Sequence, residues 1–95
     1  GEFGRTPVIR KGARRIGRDH WPQCYSAMLA GAGIRGGTVY GESDKRAGYV
    51  KTNPVTLEDF SATLFAAMGI NPASRLSLDG FTDPASSGNA IEALL

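Results

Sequence analysis

The sequence predicts an α/β segment that is one part of a larger domain, with one helix, two short strands and long loops. Three observations lead to this prediction. A well-capped amphipathic pattern begins after Thr56, two short apolar runs are bounded by glycines, and Gly 13 with Pro 5 in 95 residues leave much of the chain to turns. Because each apolar face needs a covering layer, so few elements cannot enclose a core. Residues 1–95 are therefore expected to be a partial segment of one domain.

The first section, residues 1–22, is expected to be a long irregular connection. No helical or alternating pattern persists in it, and glycines and prolines interrupt it throughout. Long loops within compact domains are uncommon and are often functional. This section is therefore the first place to look for a site.

The second section, residues 23–70, is expected to run strand, turn, strand, loop and helix. The apolar run 25–30, closed by Gly31, suits a strand buried on both faces, although a short buried helix has the same pattern. Residues 38–40 follow two glycines and suit a second short strand. Residues 42–54 are polar with mixed charge and are expected to be an exposed loop.

A helix over about 57–68 is the clearest element of the sequence. Thr56 is a good N-cap, and Asp59 three residues later completes a capping-box pattern at the positive end of the helix dipole. Gly69 can take the left-handed conformation that ends a helix, and Pro72 prevents its continuation. The apolar stripe is formed by Leu57, Phe60, Leu64, Ala67 and Met68.

The third section, residues 71–95, is expected to be a flexible C-terminal tail, with a short docked segment possible over 89–95 through its apolar side chains. The apolar run 25–34 is far shorter than the ~20 residues that a membrane-spanning helix needs. The single Cys24 cannot form a disulfide within this chain. The sequence thus predicts no membrane partner and no oxidative cross-link.

The charge is unevenly distributed, although the formal net charge is only +2. Residues 1–18 hold six of the 11 basic side chains against one acid, Glu2. A nucleic-acid surface is one interpretation. It ranks last, because glycine and proline spread the charges along a loop and no aromatic side chains alternate with them. The six basic side chains are Arg5, Arg10, Lys11, Arg14, Arg15 and Arg18.

The densest chemical cluster lies at 17–22 and contains Arg18, Asp19 and His20. An imidazole beside a carboxylate suits a divalent metal, with the carboxylate either ligating the ion or orienting the ring. Arg18 is a candidate for binding a phosphate or sulfate group. The plainer alternative is a surface ion pair, which is the more common role of an isolated Asp-His pair.

The opening residues 2–7 contain a second candidate group. Glu2 is a candidate metal ligand at the end of a strand, Gly4 lies where the backbone would bend beneath the site, and Arg5 is a candidate anion-binding side chain. Two plainer alternatives remain open. Residues 1–3 match a cloning remnant, and Arg5 can simply hydrogen-bond a turn.

Five sequence blocks follow one another along this chain. They are Glu-Phe-Gly-Arg-Thr-Pro at 2–7, Gly-Arg-Asp-His-Trp-Pro at 17–22, Leu-Ala-Gly-Ala-Gly-Ile-Arg-Gly-Gly at 29–37, Val-Tyr-Gly at 39–41, and the helical block at 55–70. In this order they resemble the C-terminal part of DUF1501 proteins, and five blocks in register are far more specific than any one of them. The resemblance covers residues 2 to about 72 well and the tail weakly.

That family resembles the alkaline phosphatase and sulfatase-like superfamily, which implies the C-terminal fragment of an α/β/α sandwich. By this resemblance Glu2 stands where the superfamily has a metal-binding aspartate, Phe3 where it has a histidine, and His20 where it has a later histidine. The implied cofactor is a divalent metal ion such as zinc, calcium or magnesium. Phe3 departs from the pattern because it cannot ligate a metal. The superfamily's nucleophile would lie upstream.

The resemblance implies part of a metal-dependent hydrolase of sulfate or phosphate esters, to which this segment contributes metal ligands and pocket wall. The implied partners are the remainder of the parent chain and a small anionic ester, and the implied location is exported, in the periplasm or at the cell surface. The alternative is a binding or scaffold protein that keeps the fold without turnover, which the loss of a ligand at Phe3 favours.

Overall fold

The computed structural model describes residues 4–12, 15–75 and 83–95. This part of the chain is a small mixed α/β structure, as the sequence predicts, with two short antiparallel sheets, one α-helix and a terminal 3₁₀ turn. Two compact units are distinguished. The hairpin unit comprises Gly1–Met28 and Gly41–Pro54, and the helix unit comprises Leu29–Tyr40 and Val55–Leu95.

In the described part of residues 1–22, a first arm (residues 4–11) and a second arm (residues 16–21) run antiparallel, so this section is more regular than the sequence predicts, although most of its residues lie outside strands. Strand β1 (Arg10–Lys11) pairs with strand β2 (Ile16–Gly17), with Arg10 opposite Gly17 and Lys11 opposite Ile16. Nearer the ends of the arms, an isolated antiparallel bridge joins Arg5 to His20. Glycine and proline shorten the ladder but do not prevent pairing.

The two arms differ in length between these paired positions. Residues 6–9 separate Arg5 from Arg10, whereas only residues 18–19 separate Gly17 from His20. The first arm therefore bulges, and Thr6 secures the bulge because its hydroxyl donates to the carbonyl of Val8 at 3.0 Å. Two extra residues leave the alternation of side chains between the two faces unchanged.

A second hairpin lies where the sequence predicts an exposed loop. Strand β3 (Glu42–Ser43) pairs with strand β4 (Val50–Thr52) across a register shift. The Asp44 carboxylate organises the turn by accepting hydrogen bonds from the backbone N–H groups of Arg46, Gly48 and Tyr49 at 3.0, 2.9 and 3.2 Å. Polar composition concealed this hairpin, because its strands are stabilised by the turn rather than by an apolar face.

The two strands expected at 25–30 and 38–40 are not strands in this structure. A strand buried on both faces needs neighbours on either side, and the described residues provide none there. Most apolar side chains of these segments are accordingly exposed, with Met28 and Val39 each 91% exposed. Segments 25–30 and 38–40 are apolar, as buried strands would be, but the described residues contain no sheet beside them.

Helix α1 (Leu57–Ala67) confirms the predicted helix and its caps. The hydroxyl of Thr56 accepts from the backbone N–H of Asp59 at 3.0 Å. At the other end Gly69 has φ +78, and the N–H of Ile70 donates to Phe65 O at 2.9 Å. This is a Schellman ending, in which a left-handed glycine closes the last turn.

The C-terminal segment, described over 83–95, follows the helix closely. The hydroxyl of Ser86 donates to Glu58 O at 2.7 Å, and the N–H of Ile91 donates to the hydroxyl of Thr63 at 3.0 Å. A 3₁₀ turn, Glu92–Leu94, ends the chain. Part of the section expected to be a flexible tail therefore has a defined place along α1.

The packed centre of the helix unit is small. Ala62 and Thr63 are the residues of α1 that are fully buried, and the Thr63 hydroxyl also donates to Asp59 O at 2.7 Å. Much of the apolar stripe stays exposed, including Leu57 at 63% and Met68 at 60%. Within the described ranges, no helix is long and apolar enough to cross a membrane.

Candidate functional site

The Arg5–His20 bridge brings two of the candidate site residues together. The N–H of Thr6 donates to Asp19 O and the N–H of Trp21 donates to Gly4 O, both at 3.0 Å. This pattern makes Arg5 and His20 a directly opposed pair whose side chains leave the same face, with β-carbons about 4.5–5.5 Å apart. Both residues are exposed. The guanidinium group of Arg5 and the imidazole of His20 therefore lie on the same exposed surface.

Gly4 allows the two arms to approach this closely. The residue is buried, and a β-carbon at this position would overlap the carbonyl oxygens of Trp21 and Cys24. The close contact explains in steric terms why glycine precedes Arg5. Any larger residue must push the arms apart at the point where the Arg5–His20 pair forms.

Asp19 lies on the other face of the arms. Adjacent residues of an extended chain point to opposite sides, and the Asp19 carboxylate is 3.1 Å from the Nη2 atom of Arg10. The backbone N–H of Asp19 also donates to the hydroxyl of Thr6 at 3.1 Å. Asp19 therefore connects the second arm to the first, and its neighbour His20 faces away from this connection.

Of the remaining predicted residues, Arg18 is exposed and precedes His20 by two positions, which places it on the same face by strand alternation. Glu2 lies outside the described residues. The described candidates thus separate into two groups: Arg5, Arg18 and His20 share one face, and Asp19 is on the other.

The Asp44 turn supports the end of the second arm. The indole Nε1 of Trp21 donates to the carbonyl of buried Gly48 at 2.6 Å, and the Trp21 ring meets Tyr49 edge-on with centroids 5.5 Å apart. The N–H of Gly48, followed by those of Arg46 and Tyr49, holds the pKa of the Asp44 carboxyl below its ordinary value. Trp21, the residue next to His20, is thereby held against an ordered turn that contains the ionised Asp44 carboxylate.

The described side chains provide only some of the ligands that a metal ion needs. Within residues 4–12, 15–75 and 83–95, no group of three or more His, Cys, Asp or Glu side chains lies close enough to hold an ion. A single exposed imidazole such as that of His20 fits one ligand position, since histidine binds through one ring nitrogen. A complete site requires ligands in addition to these.

An open groove of about 590 Å³ in the helix unit is a second candidate location for a site. It is lined by residues 71–73, 84 and 86–90, which are asparagine, proline, alanine, serine and glycine. None of these described lining residues can ligate a metal through a charged group or transfer a proton near neutral pH. The groove therefore lacks the chemistry that the hairpin arms present.

Three structural contributors escaped sequence reasoning. Thr6 secures the bulge, Arg10 pairs with Asp19, and Gly48 receives the indole hydrogen bond. Their sequence signals are weak, because each acts through a partner at a distance along the chain. Only the Asp44 to Gly48 spacing, an aspartate followed by a glycine four residues later, is typical of a side-chain-capped turn.

Comparison with known proteins gives one family match. The model of a family described as protein of unknown function (DUF1501) matches residues 1–95. No curated protein and no solved structure matches the chain.

Proposed function

The chain belongs to the DUF1501 family, and from that premise we propose that it is part of a metal-dependent hydrolase of sulfate or phosphate esters. The hairpin unit contributes a metal ligand, His20, and an anion-binding cation, Arg5. The observation that carries the proposal is their direct pairing across the arms, with both side chains on one exposed face. The nucleophile comes from outside these residues.

The two side chains have complementary roles. The imidazole of His20 offers a ring nitrogen to a divalent ion, and the guanidinium of Arg5 presents a planar fork that matches two oxygens of a sulfate or phosphate group. A bound ion would stabilise the charge that develops on the transferring group. Arg18, two residues before His20, extends the same positive surface along the second arm.

Asp19 has a positioning role in this proposal. Its ion pair with Arg10 and its N–H bond to Thr6 hold the second arm against the first. Glu2 remains a proposed ligand, on the resemblance alone. Because the described donor set supplies one imidazole, the remaining ligands come from the rest of the parent protein.

The surrounding fold and location belong to the same proposal. The motif blocks resemble the alkaline phosphatase and sulfatase-like superfamily, and this supports an α/β/α sandwich around the site and export of the parent protein. The exposed apolar stripe of α1, with Leu57 and Met68 more than half exposed, is compatible with covering layers from the remainder of such a sandwich.

A second candidate function is a binding or scaffold protein without turnover. Phe3 favours it, because a phenylalanine occupies the position at which the superfamily resemblance expects a histidine ligand. Such a protein keeps an anion-binding face but hydrolyses neither aryl sulfates nor aryl phosphates with any divalent ion added.

The experiment measures metal content and ester hydrolysis of the intact protein side by side. We expect His20→Ala to lower metal content, and Arg5→Ala to raise KM for the ester with metal content unchanged. Arg15→Ala is the matched control, since it removes an exposed arginine of the same hairpin that takes no part in the Arg5–His20 pair. Metal content unaffected by His20→Ala overturns the ligand role, and absence of turnover in the metal-loaded wild type favours the scaffold.

A further inference from the structure

One face of the β1–β2 pair combines positive charge with an exposed apolar side chain. Lys11 and Ile16 are directly opposite each other, so their side chains leave the same face. Arg18 follows Ile16 by two residues and continues this face. Ile16 is 79% exposed, which is unusual for an isoleucine. We call the surface formed by Lys11, Ile16 and Arg18 the cationic face.

The negative charge of the arms lies elsewhere. Asp19 is the one carboxylate in the described residues 4–12 and 15–21, and it is on the opposite face with Arg10 at 3.1 Å. Five basic residues less one acid give these ranges a formal charge of +4, with His20 neutral. Among these described residues, the cationic face therefore has no counter-charge of its own. The five basic residues are Arg5, Arg10, Lys11, Arg15 and Arg18.

More apolar surface accompanies these charges. Val8 and Ile9, in the first arm just before β1, are 67% and 49% exposed. Exposed aliphatic side chains beside basic ones are poorly suited to water alone, since the aliphatic groups gain free energy by leaving it. They match a lipid–water interface, where apolar groups enter the acyl boundary and cations contact the head groups.

We propose that the cationic face binds the surface of a membrane that contains anionic lipids. Lys11 and Arg18 contact the phosphate-bearing head groups, and Ile16 between them enters the interface. The contact is peripheral and needs no membrane-spanning segment. It is therefore consistent with apolar runs that are too short to cross a membrane. The proposal does not depend on hydrolysis at the Arg5–His20 pair.

A soluble polyanion fits the same face less well. A nucleic acid or a sulfated polysaccharide would satisfy Lys11 and Arg18 but would leave Ile16 with no apolar partner. Base stacking also needs aromatic rings, and the described residues of this face have none. Trp21, at the end of the second arm, is half-buried and directs its indole to Gly48.

The test is flotation of the intact protein with vesicles of phosphatidylcholine alone and of phosphatidylcholine with about one third phosphatidylglycerol. We expect binding only to the anionic vesicles and weakening by salt. Each basic residue at an anionic surface is worth about five-fold in affinity, so Lys11→Glu should weaken binding by more than that. Ile16→Ser should weaken it about ten-fold.

Arg35→Glu is the matched control, because it makes the same charge change in the helix unit at an exposed side chain. Circular dichroism checks that each variant is folded. Equal loss of binding with Arg35→Glu overturns the proposal, as does an unchanged affinity with Ile16→Ser together with tighter binding to heparin or duplex DNA than to vesicles. Absence of wild-type binding to anionic vesicles also overturns it, since the face is then covered or unused.

Discussion

The indole Nε1 of Trp21 donates a hydrogen bond of 2.6 Å to the carbonyl oxygen of Gly48, 27 residues further along the chain. This bond connects the end of the second arm to the Asp44 turn. Trp21 is also the immediate neighbour of His20, so the position of the imidazole depends on a contact made beside it. The hairpin unit thus has a supported end, where the candidate site lies, and a more exposed end at β1–β2.

Trp21→Phe should destabilise the protein while keeping most of the ring packing. The substitution removes the donor to Gly48 O and retains an aromatic ring beside Tyr49. Because the carbonyl of a buried residue loses its partner, we expect a loss of about 1–3 kcal/mol. Urea unfolding monitored by circular dichroism measures it. Tyr40→Phe, at an exposed aromatic position, is the comparison and should differ from wild type by less than Trp21→Phe.

Gly4→Ala should disturb the arms directly. A β-carbon there meets the carbonyl oxygens of Trp21 and Cys24, and relief requires the arms to separate. We expect a loss of about 1–3 kcal/mol, the usual range for overpacking. Gly12→Ala is the matched control, since no atom lies within 4 Å of its added β-carbon. Equal stability of the two variants in urea would mean that the close approach at Gly4 is not formed in solution.

Gly88→Ala should release the C-terminal segment from α1. The added β-carbon would overlap the backbone of Glu58 and Asp59, next to the Ser86 and Asn89 hydrogen bonds. Hydrogen exchange of the intact protein should show faster exchange of the Asn89 and Ile91 amides. Gly36→Ala, which meets nothing within 4 Å, should leave their exchange unchanged. Protection retained in Gly88→Ala would contradict the described docking.

Acid should weaken the protein through two aspartates. The N–H of Gly48 chiefly lowers the pKa of Asp44, and the N–H of Asn89 followed by the Thr56 hydroxyl lowers the pKa of Asp59, both from 3.8. A carboxyl with a depressed folded-state pKa contributes stability that is fully present above its unfolded pKa and is lost as the pH falls through the folded value. We expect the loss to begin near pH 3.8 and to continue below it.

Asp44→Asn separates this effect from general acid unfolding. The variant cannot ionise at that position, so its free energy of unfolding should depend less on pH than that of wild type below about pH 4. Denaturant titrations at several pH values measure the difference. If the free energies of unfolding of the two proteins change with pH in the same way, Asp44 is not a cause of the loss of stability in acid.

Local signals made the helix predictable, whereas long-range pairing did not. The Thr56 cap and the Gly69 ending act within a few residues, so the pattern of α1 was sufficient. The strand expected at 25–30 depended on neighbours that the described chain does not provide. The β3–β4 hairpin was missed for the opposite reason, because three N–H bonds to Asp44 stabilise a turn in a polar segment.

The sequence was sufficient to predict which residue types belong to the candidate site, but not how those residues are arranged in space. Arg5, Asp19 and His20 drew attention through their chemistry. Adjacency in sequence placed Asp19 with His20, but strand alternation sends these neighbours to opposite faces and pairs His20 with Arg5 instead. Register depends on which residues face each other across the arms, and a bulge at Thr6 sets it here.

The most direct test of the central proposal is a crystal structure of the intact, metal-loaded protein, with anomalous scattering used to locate the ion. The proposal predicts a divalent ion bound to one ring nitrogen of His20, at about 2.0–2.1 Å for zinc, on the face shared with Arg5. An ion bound elsewhere with His20 remote from it, or no ion at a saturating concentration, would contradict the proposal.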